Sequence, residues 1–112
     1  MWNREGPANM FISVVAPGVA ALEDRHNFRA FKIVAGMPGA GLDEVRRALS
    51  GIAEVSDRDT VWVFQDALRR WPGVADDAAW QNAFAAMIEK ARPHGWIDDN
   101  KKAIKAHIEW PA

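Results

Sequence analysis

Two histidines lie among charged side chains and are the best candidates for acid–base chemistry in this sequence. The first, His26, belongs to a charged run, Glu23-Asp24-Arg25-His26-Asn27-Phe28-Arg29. Histidine exchanges a proton near neutral pH, so a histidine beside carboxylates is a candidate general base. Arg25 or Arg29 could hold a substrate carboxylate or enolate in a two-pronged contact. The alternative interpretation is a solvated hairpin whose charges only protect a sheet edge from aggregation.

The second candidate, His107, alternates with Lys105 and Glu109 near the C-terminal end of the sequence. Residues at i and i+2 of a strand lie on one face, about 6.5–7 Å apart. The three side chains could form a proton-transfer site if a loop or a partner subunit covers that face, with His107 and Glu109 as catalytic residues. The alternative is a wet sheet face that carries mixed charges.

Tryptophan is unusually frequent, with six tryptophans and no tyrosine in 112 residues. Its bulky ring and single N–H donor suit pockets and interfaces as well as cores. Pockets for small organic ligands are mostly apolar with a few placed polar groups, so this surplus predicts a cleft. The binding candidates are Arg29, Lys32, Trp62, Phe64, Trp80 and Met87. The alternative is that the rings only fill the core.

The sequence lacks the features that indicate several classes of function. The chain has no cysteine, which excludes disulfides, thiolate nucleophiles and cysteine-ligated metals, and which favours the cytoplasm. Its 14 basic and 15 acidic residues argue against binding to nucleic acid. No apolar run approaches the ~20 residues of a membrane span. The glycine-rich loop at 36–41 matches no nucleotide-binding motif, and we predict neither a cofactor nor a metal.

Periodicity predicts four strands and three helices. Alternating or β-branched segments indicate strands at 11–16, 28–35, 60–64 and 103–110. Apolar residues at helical spacing indicate helices at 42–52, 66–70 and 76–91. Residues 1–9 are polar with glycine and proline, and we expect a flexible N-terminal arm before a single domain at 10–112.

This order of elements, β-β-α-β-α-α-β, predicts the α+β class. We expect a four-stranded, mainly antiparallel sheet with helices packed on one face. The order is similar to that of ferredoxin-like domains and of the dimeric α+β barrels built from them. The resemblance concerns topology alone, and a fold does not fix a function.

Two functions fit these residues. The first is a small, cofactor-independent protein that binds or transforms a hydrophobic organic molecule, as an isomerase or lyase with His26 or His107 as proton shuttle. The second is a non-enzymatic homodimer or protein-interaction module that uses exposed tryptophans and an open sheet face. DNA binding by the helices at 66–70 and 76–91 is disfavoured, because the acidic Asp76-Asp77 linker would repel phosphates.

Overall fold

The computed structural model describes residues 10–15, 19–28, 31–36 and 41–110, so the predicted arm at 1–9 lies outside the described residues. Within these ranges the chain forms seven strands and three α-helices. In chain order they are β1 (Met10–Val15), β2 (Val19–Glu23), β3 (Phe31–Ala35), α1 (Leu42–Ala48), β4 (Ala53–Val55), β5 (Thr60–Phe64), α2 (Gln65–Arg69), α3 (Ala78–Ala91), β6 (Ile97–Asp98) and β7 (Ala103–Glu109).

All seven strands belong to one mixed sheet, which curls strongly into a half-barrel. The strand order is β2-β1-β3-β7-β5-β4, and β6 pairs with β7 outside this path. The β1–β3 and β3–β7 pairs are parallel, and the other pairs are antiparallel. β5 lies along one edge of β7, while β6 and β3 share its other edge. β7 therefore joins the two halves of the sheet.

The predicted fold class is wrong. The sheet has seven strands instead of four and includes two parallel pairs, and the ferredoxin-like arrangement with helices on one face is not found. Three additional strands lack a readable pattern: β4 and β6 have only three and two residues, and β2 shows no alternation of buried and exposed side chains. β3 also pairs in parallel with β1, on the edge of β1 opposite to β2. The spacing of residues along the sequence does not determine which strands become neighbours.

The hydrophobic core lies on one face of the sheet. Alternate residues of β1, β3, β5 and β7 are fully buried there, as Ile12, Ile33, Val61 and Ala106 illustrate. Helix α3 adds a stripe of large apolar side chains to the same core, namely Trp80, Phe84, Met87 and Ile88. Each large apolar side chain buried in this way stabilises the fold by about 1.5–3 kcal/mol. Because strand side chains alternate, the polar residues between them lie on the opposite face.

Helix α3 has clear start and stop signals. The carboxylate of Asp77 accepts a hydrogen bond from the backbone N–H of Trp80, at 3.0 Å, and so caps the first turn. At the other end a short 3-10 turn, Arg92–His94, leads to Gly95 at φ +78°, a left-handed conformation that suits glycine. No helix in the described part of the chain has the length and apolar composition needed to cross a bilayer.

Candidate functional site

Neighbouring strands place a row of side chains across the sheet face opposite the core. His107 of β7 is the partner of Lys32 in the parallel β3–β7 pair and of Thr60 in the antiparallel β5–β7 pair. Phe11 of β1 continues the row beyond Lys32. Paired strands lie about 4.8 Å apart, so adjacent side chains in this row are within contact distance. Glu109, two residues after His107, lies on the same face of β7.

The carboxylate of Glu109 bridges a lysine and a histidine. Lys32 Nζ donates a hydrogen bond to Glu109 Oε2 at 3.1 Å, and His107 Nε2 lies 3.4 Å from Glu109 Oε1. The exposed fraction is 3% for the whole of His107. It is 15% for the Lys32 side chain and 39% for that of Glu109. The imidazole is therefore enclosed, while the carboxylate faces the surrounding space.

The electrostatic environment keeps Glu109 ionised. Partial desolvation of this carboxyl acts to raise its pKa, but the hydrogen bond and charge of Lys32, followed by those of His107, outweigh it and lower the pKa below its ordinary value. Glu109 is consequently an anion at neutral pH. A carboxylate held against an imidazole orients the ring and stabilises its protonated form, as in catalytic triads.

Apolar side chains border this cluster on the same face of the sheet. Val34 is the partner of Glu109, and Trp62 is the partner of Lys105, which precedes His107 on that face. Phe64 follows Trp62 on β5, and Phe11 follows Lys32 in the row. All four are half-buried, so the cluster is surrounded by partly exposed apolar surface. This combination of a few polar groups with apolar surroundings is typical of small-molecule sites.

The second predicted catalytic residue, His26, lies elsewhere. The strand predicted at 28–35 is β3 at Phe31–Ala35, and residues 24–28, which include His26, form a turn. His26 is exposed there and lines an open pocket of about 540 Å³. Among the described residues, no contact joins it to Lys32, His107 or Glu109.

The other predicted binding residues divide between the two faces. Trp62 and Phe64 lie on the face of the Lys32 cluster, whereas Trp80 and Met87 are buried in the core. Trp80 stacks on Phe84 with ring centroids 5.0 Å apart. Arg29 lies outside the described residues. The described ranges contain no group of three or more histidine and acidic side chains placed to hold a metal ion.

Sequence reasoning missed Phe11 and Thr60 as neighbours of the cluster. Phe11 alternates with the buried residues of β1, which places it on the outer face, yet its position beside Lys32 follows only from the parallel register with β3. Thr60 opens β5 and meets His107 through the β5–β7 register. Alternation within each strand would have found the face but not the neighbours.

Comparison with known proteins does not assign the chain to a family. The chain matches no protein-family model, no curated protein and no solved structure.

Proposed function

We propose that the protein binds a small hydrophobic organic molecule on the outer face of its sheet, where Glu109, Lys32 and His107 transfer a proton in an isomerase-type reaction. The observation that carries this proposal is the bridging carboxylate of Glu109, in contact with Lys32 and with a nearly buried His107. Ionisable groups with perturbed pKa values and specific charge partners occur preferentially at functional sites.

The exposures of the three side chains suggest their roles. Glu109 is the most exposed of the three, so a ligand on this face contacts its carboxylate first. The proton moves from a carbon beside the substrate carbonyl to Glu109, and the electron pair remains on the substrate as an enolate. Lys32 stabilises the enolate oxygen by charge. When the substrate carries a β,γ double bond, the enolate is a dienolate, and Glu109 returns the proton to its γ-carbon, which moves the double bond into conjugation with the carbonyl. His107 acts behind Glu109 as a positioning residue.

An apolar ligand would also strengthen the base. The lowered pKa makes Glu109 a weak base while the site is open to water. A ligand that packs on Phe11 and Trp62 excludes water from the carboxylate, and desolvation raises the pKa of a carboxyl group. This requirement favours a hydrophobic ketone over a small polar one.

Hydrogen–deuterium exchange tests this function directly. 2-Tetralone and 1-indanone serve as probes, and the loss of their α-proton NMR signals in D₂O measures proton abstraction. We expect the protein to accelerate this loss and Glu109→Gln to slow it by about 100-fold, within the range of general acid–base catalysis. Glu54→Gln is the matched control, because Glu54 pairs with Lys101 at 3.0 Å on an exposed surface. Exchange at the buffer rate with both probes, or equal rates for Glu109→Gln and the unmodified protein, would refute the proposal.

The second candidate function is non-enzymatic: the protein acts as a homodimeric interaction module. Val15 and Val19, at the adjoining ends of β1 and β2, are exposed large apolar residues. β2 is also an outer strand of the described sheet, and such a strand is open to pairing with another chain. Sedimentation equilibrium tests this candidate: a monomer at high concentration contradicts it.

The cytoplasm stays the proposed location of the protein, and cell fractionation would test it.

A further inference from the structure

The open pocket that contains His26 lies just beyond the end of β2. Its volume is about 540 Å³, and in the described part of the chain it is lined by Asp24, Arg25, His26 and Asn27. Small-molecule sites typically measure ~300–1,000 Å³. The proton transfer proposed above uses none of these four residues.

The backbone of this loop is anchored to the core. The indole Nε1–H of the buried Trp80 donates a hydrogen bond to the carbonyl oxygen of Arg25 at 2.7 Å, and the ring of Phe28 lies 5.7 Å from that of Trp80. Within the loop, the N–H of Asn27 donates to the carbonyl of Asp24 at 3.0 Å, with Asp24 at φ +49°. These contacts restrict the loop, and such restriction lowers the entropy lost when a ligand binds.

A glycine from another part of the chain places the guanidinium of Arg25. Gly73 lies between α2 and α3 at φ +93°, and a Cβ built on it would lie only 2.3 Å from Nη1 of Arg25. The guanidinium therefore lies directly against the Gly73 backbone, in space that any other side chain would fill. This contact fixes the position of the Arg25 guanidinium without neutralising its charge.

The four lining side chains combine three donors with one acidic acceptor. Arg25, His26 and Asn27 present N–H groups, and guanidinium groups bind carboxylates in a two-pronged geometry. The Asp24 carboxylate accepts hydrogen bonds from a hydroxyl or ammonium group. We propose that this pocket binds a small carboxylic acid that carries a hydroxyl or amino group beside the carboxylate. Arg25 and His26 hold the carboxylate of the ligand, and Asp24 holds its second polar group.

Chemical-shift titration tests this site. Lactate and serine are the probes, and propionate, which lacks the second polar group, is the comparison compound. We expect saturable amide shifts in residues 24–27 with lactate and serine in the millimolar range, and binding of propionate at least about fivefold weaker. Asp24→Asn is expected to weaken serine binding while leaving propionate binding unchanged.

Two glycine variants separate the role of Arg25 from backbone strain. Gly73→Ala displaces the guanidinium, whereas Gly95→Ala introduces alanine at a similar positive φ with no heavy atom within 4 Å of its Cβ. We expect lactate binding to weaken at least about tenfold in Gly73→Ala and in Arg25→Gln, and to stay unchanged in Gly95→Ala. Arg25→Gln retains the backbone carbonyl that accepts from Trp80, so the loop anchor is preserved.

Three results would overturn the proposal. The first is the absence of saturable shifts in residues 24–27 with both probes. The second is lactate binding by Arg25→Gln at the affinity of the unmodified protein. The third is a set of shifts confined to Lys32, His107 and Glu109, which would assign the carboxylate to the outer face of the sheet instead.

Discussion

The Lys32–Glu109 ion pair has a matched counterpart on the same protein, the Lys101–Glu54 pair. The shortest nitrogen–oxygen distances are 3.1 Å and 3.0 Å, so the charges are equally close. The exposed side-chain fractions differ, at 15% and 39% for Lys32 and Glu109 against 43% and 50% for Lys101 and Glu54. Paired double-mutant cycles, with lysine changed to methionine and glutamate to glutamine, therefore compare the same chemistry in two solvent environments.

The difference in exposure sets the expected coupling energies. Exposed lysine–glutamate pairs typically contribute about 0.3 kcal/mol, and we expect that value for Lys101–Glu54. The ammonium of Lys32 is largely withdrawn from water, which lowers the effective dielectric between the charges. Discounted for the exposure of the Glu109 carboxylate, the expected coupling for Lys32–Glu109 is about 1 kcal/mol. Glu109→Gln alone should cost somewhat more, because it also weakens the contact with His107.

Urea unfolding followed by circular dichroism measures these energies. Each cycle uses the unmodified protein, two single variants and one double variant, first at about 0.1 M and then at about 1 M salt, where the Debye length falls from ~10 Å to ~3 Å. We expect the exposed pair to lose its coupling at high salt and the Lys32–Glu109 pair to retain most of it. Equal couplings at low salt, or equal losses at high salt, would show that the cluster is screened by water and would remove the physical basis of the proposed proton transfer.

Three further predictions concern stability. Gly73→Ala should destabilise the protein by about 1 kcal/mol more than Gly95→Ala. Both variants place an alanine in a left-handed backbone conformation, but only the Cβ at position 73 would collide with Arg25. Thermal unfolding of the two variants measures the difference. Because the pKa of Glu109 is lowered in the folded state, its stabilising contribution is present above the ordinary value of 4.5 and is lost as pH falls through the folded-state pKa. The stability difference between Glu109→Gln and the unmodified protein should therefore shrink between about pH 7 and about pH 3 in urea titrations. Asp77→Ala should cost about 1 kcal/mol through loss of the α3 cap, and an equally stable variant would contradict that role.

Strand patterns in the sequence were informative where one face is buried and the other is polar. The alternation around His107 predicted a strand at 103–110, and β7 occupies 103–109. It also placed Lys105, His107 and Glu109 on one face. β2 reads Val-Ala-Ala-Leu-Glu, with a single β-branched residue and no alternation, so its strand character follows from pairing with β1. Backbone pairing of this kind leaves little trace in side-chain pattern.

The composition of the site depended on strand register. Lys32 meets Glu109 because β3 and β7 pair in parallel, with Lys32 opposite His107. These residues are more than 70 positions apart in the chain, and spacing within either strand does not reveal their contact. The strand predicted at 28–35 also began too early, because Phe28 belongs to the turn at 24–28 in which His26 is exposed. The sequence indicated which side chains could take part in acid–base chemistry, whereas the pairing of β3 with β7 determines which of them are in contact.

The position of β7 has a consequence for how the protein is made. Of the described strands β7 is synthesised last, yet it lies between β3 and β5 and holds the two halves of the sheet together. A nascent chain that lacks it leaves both of those neighbours with an unpaired edge, and long-range pairing of this kind is slow to form. His107 and Glu109 arrive on the same strand, so Lys32 gains its carboxylate partner at the step that completes the sheet. The cluster therefore forms only after β7 has been synthesised and has paired with β3, and a chain that ends before β7 lacks both His107 and Glu109.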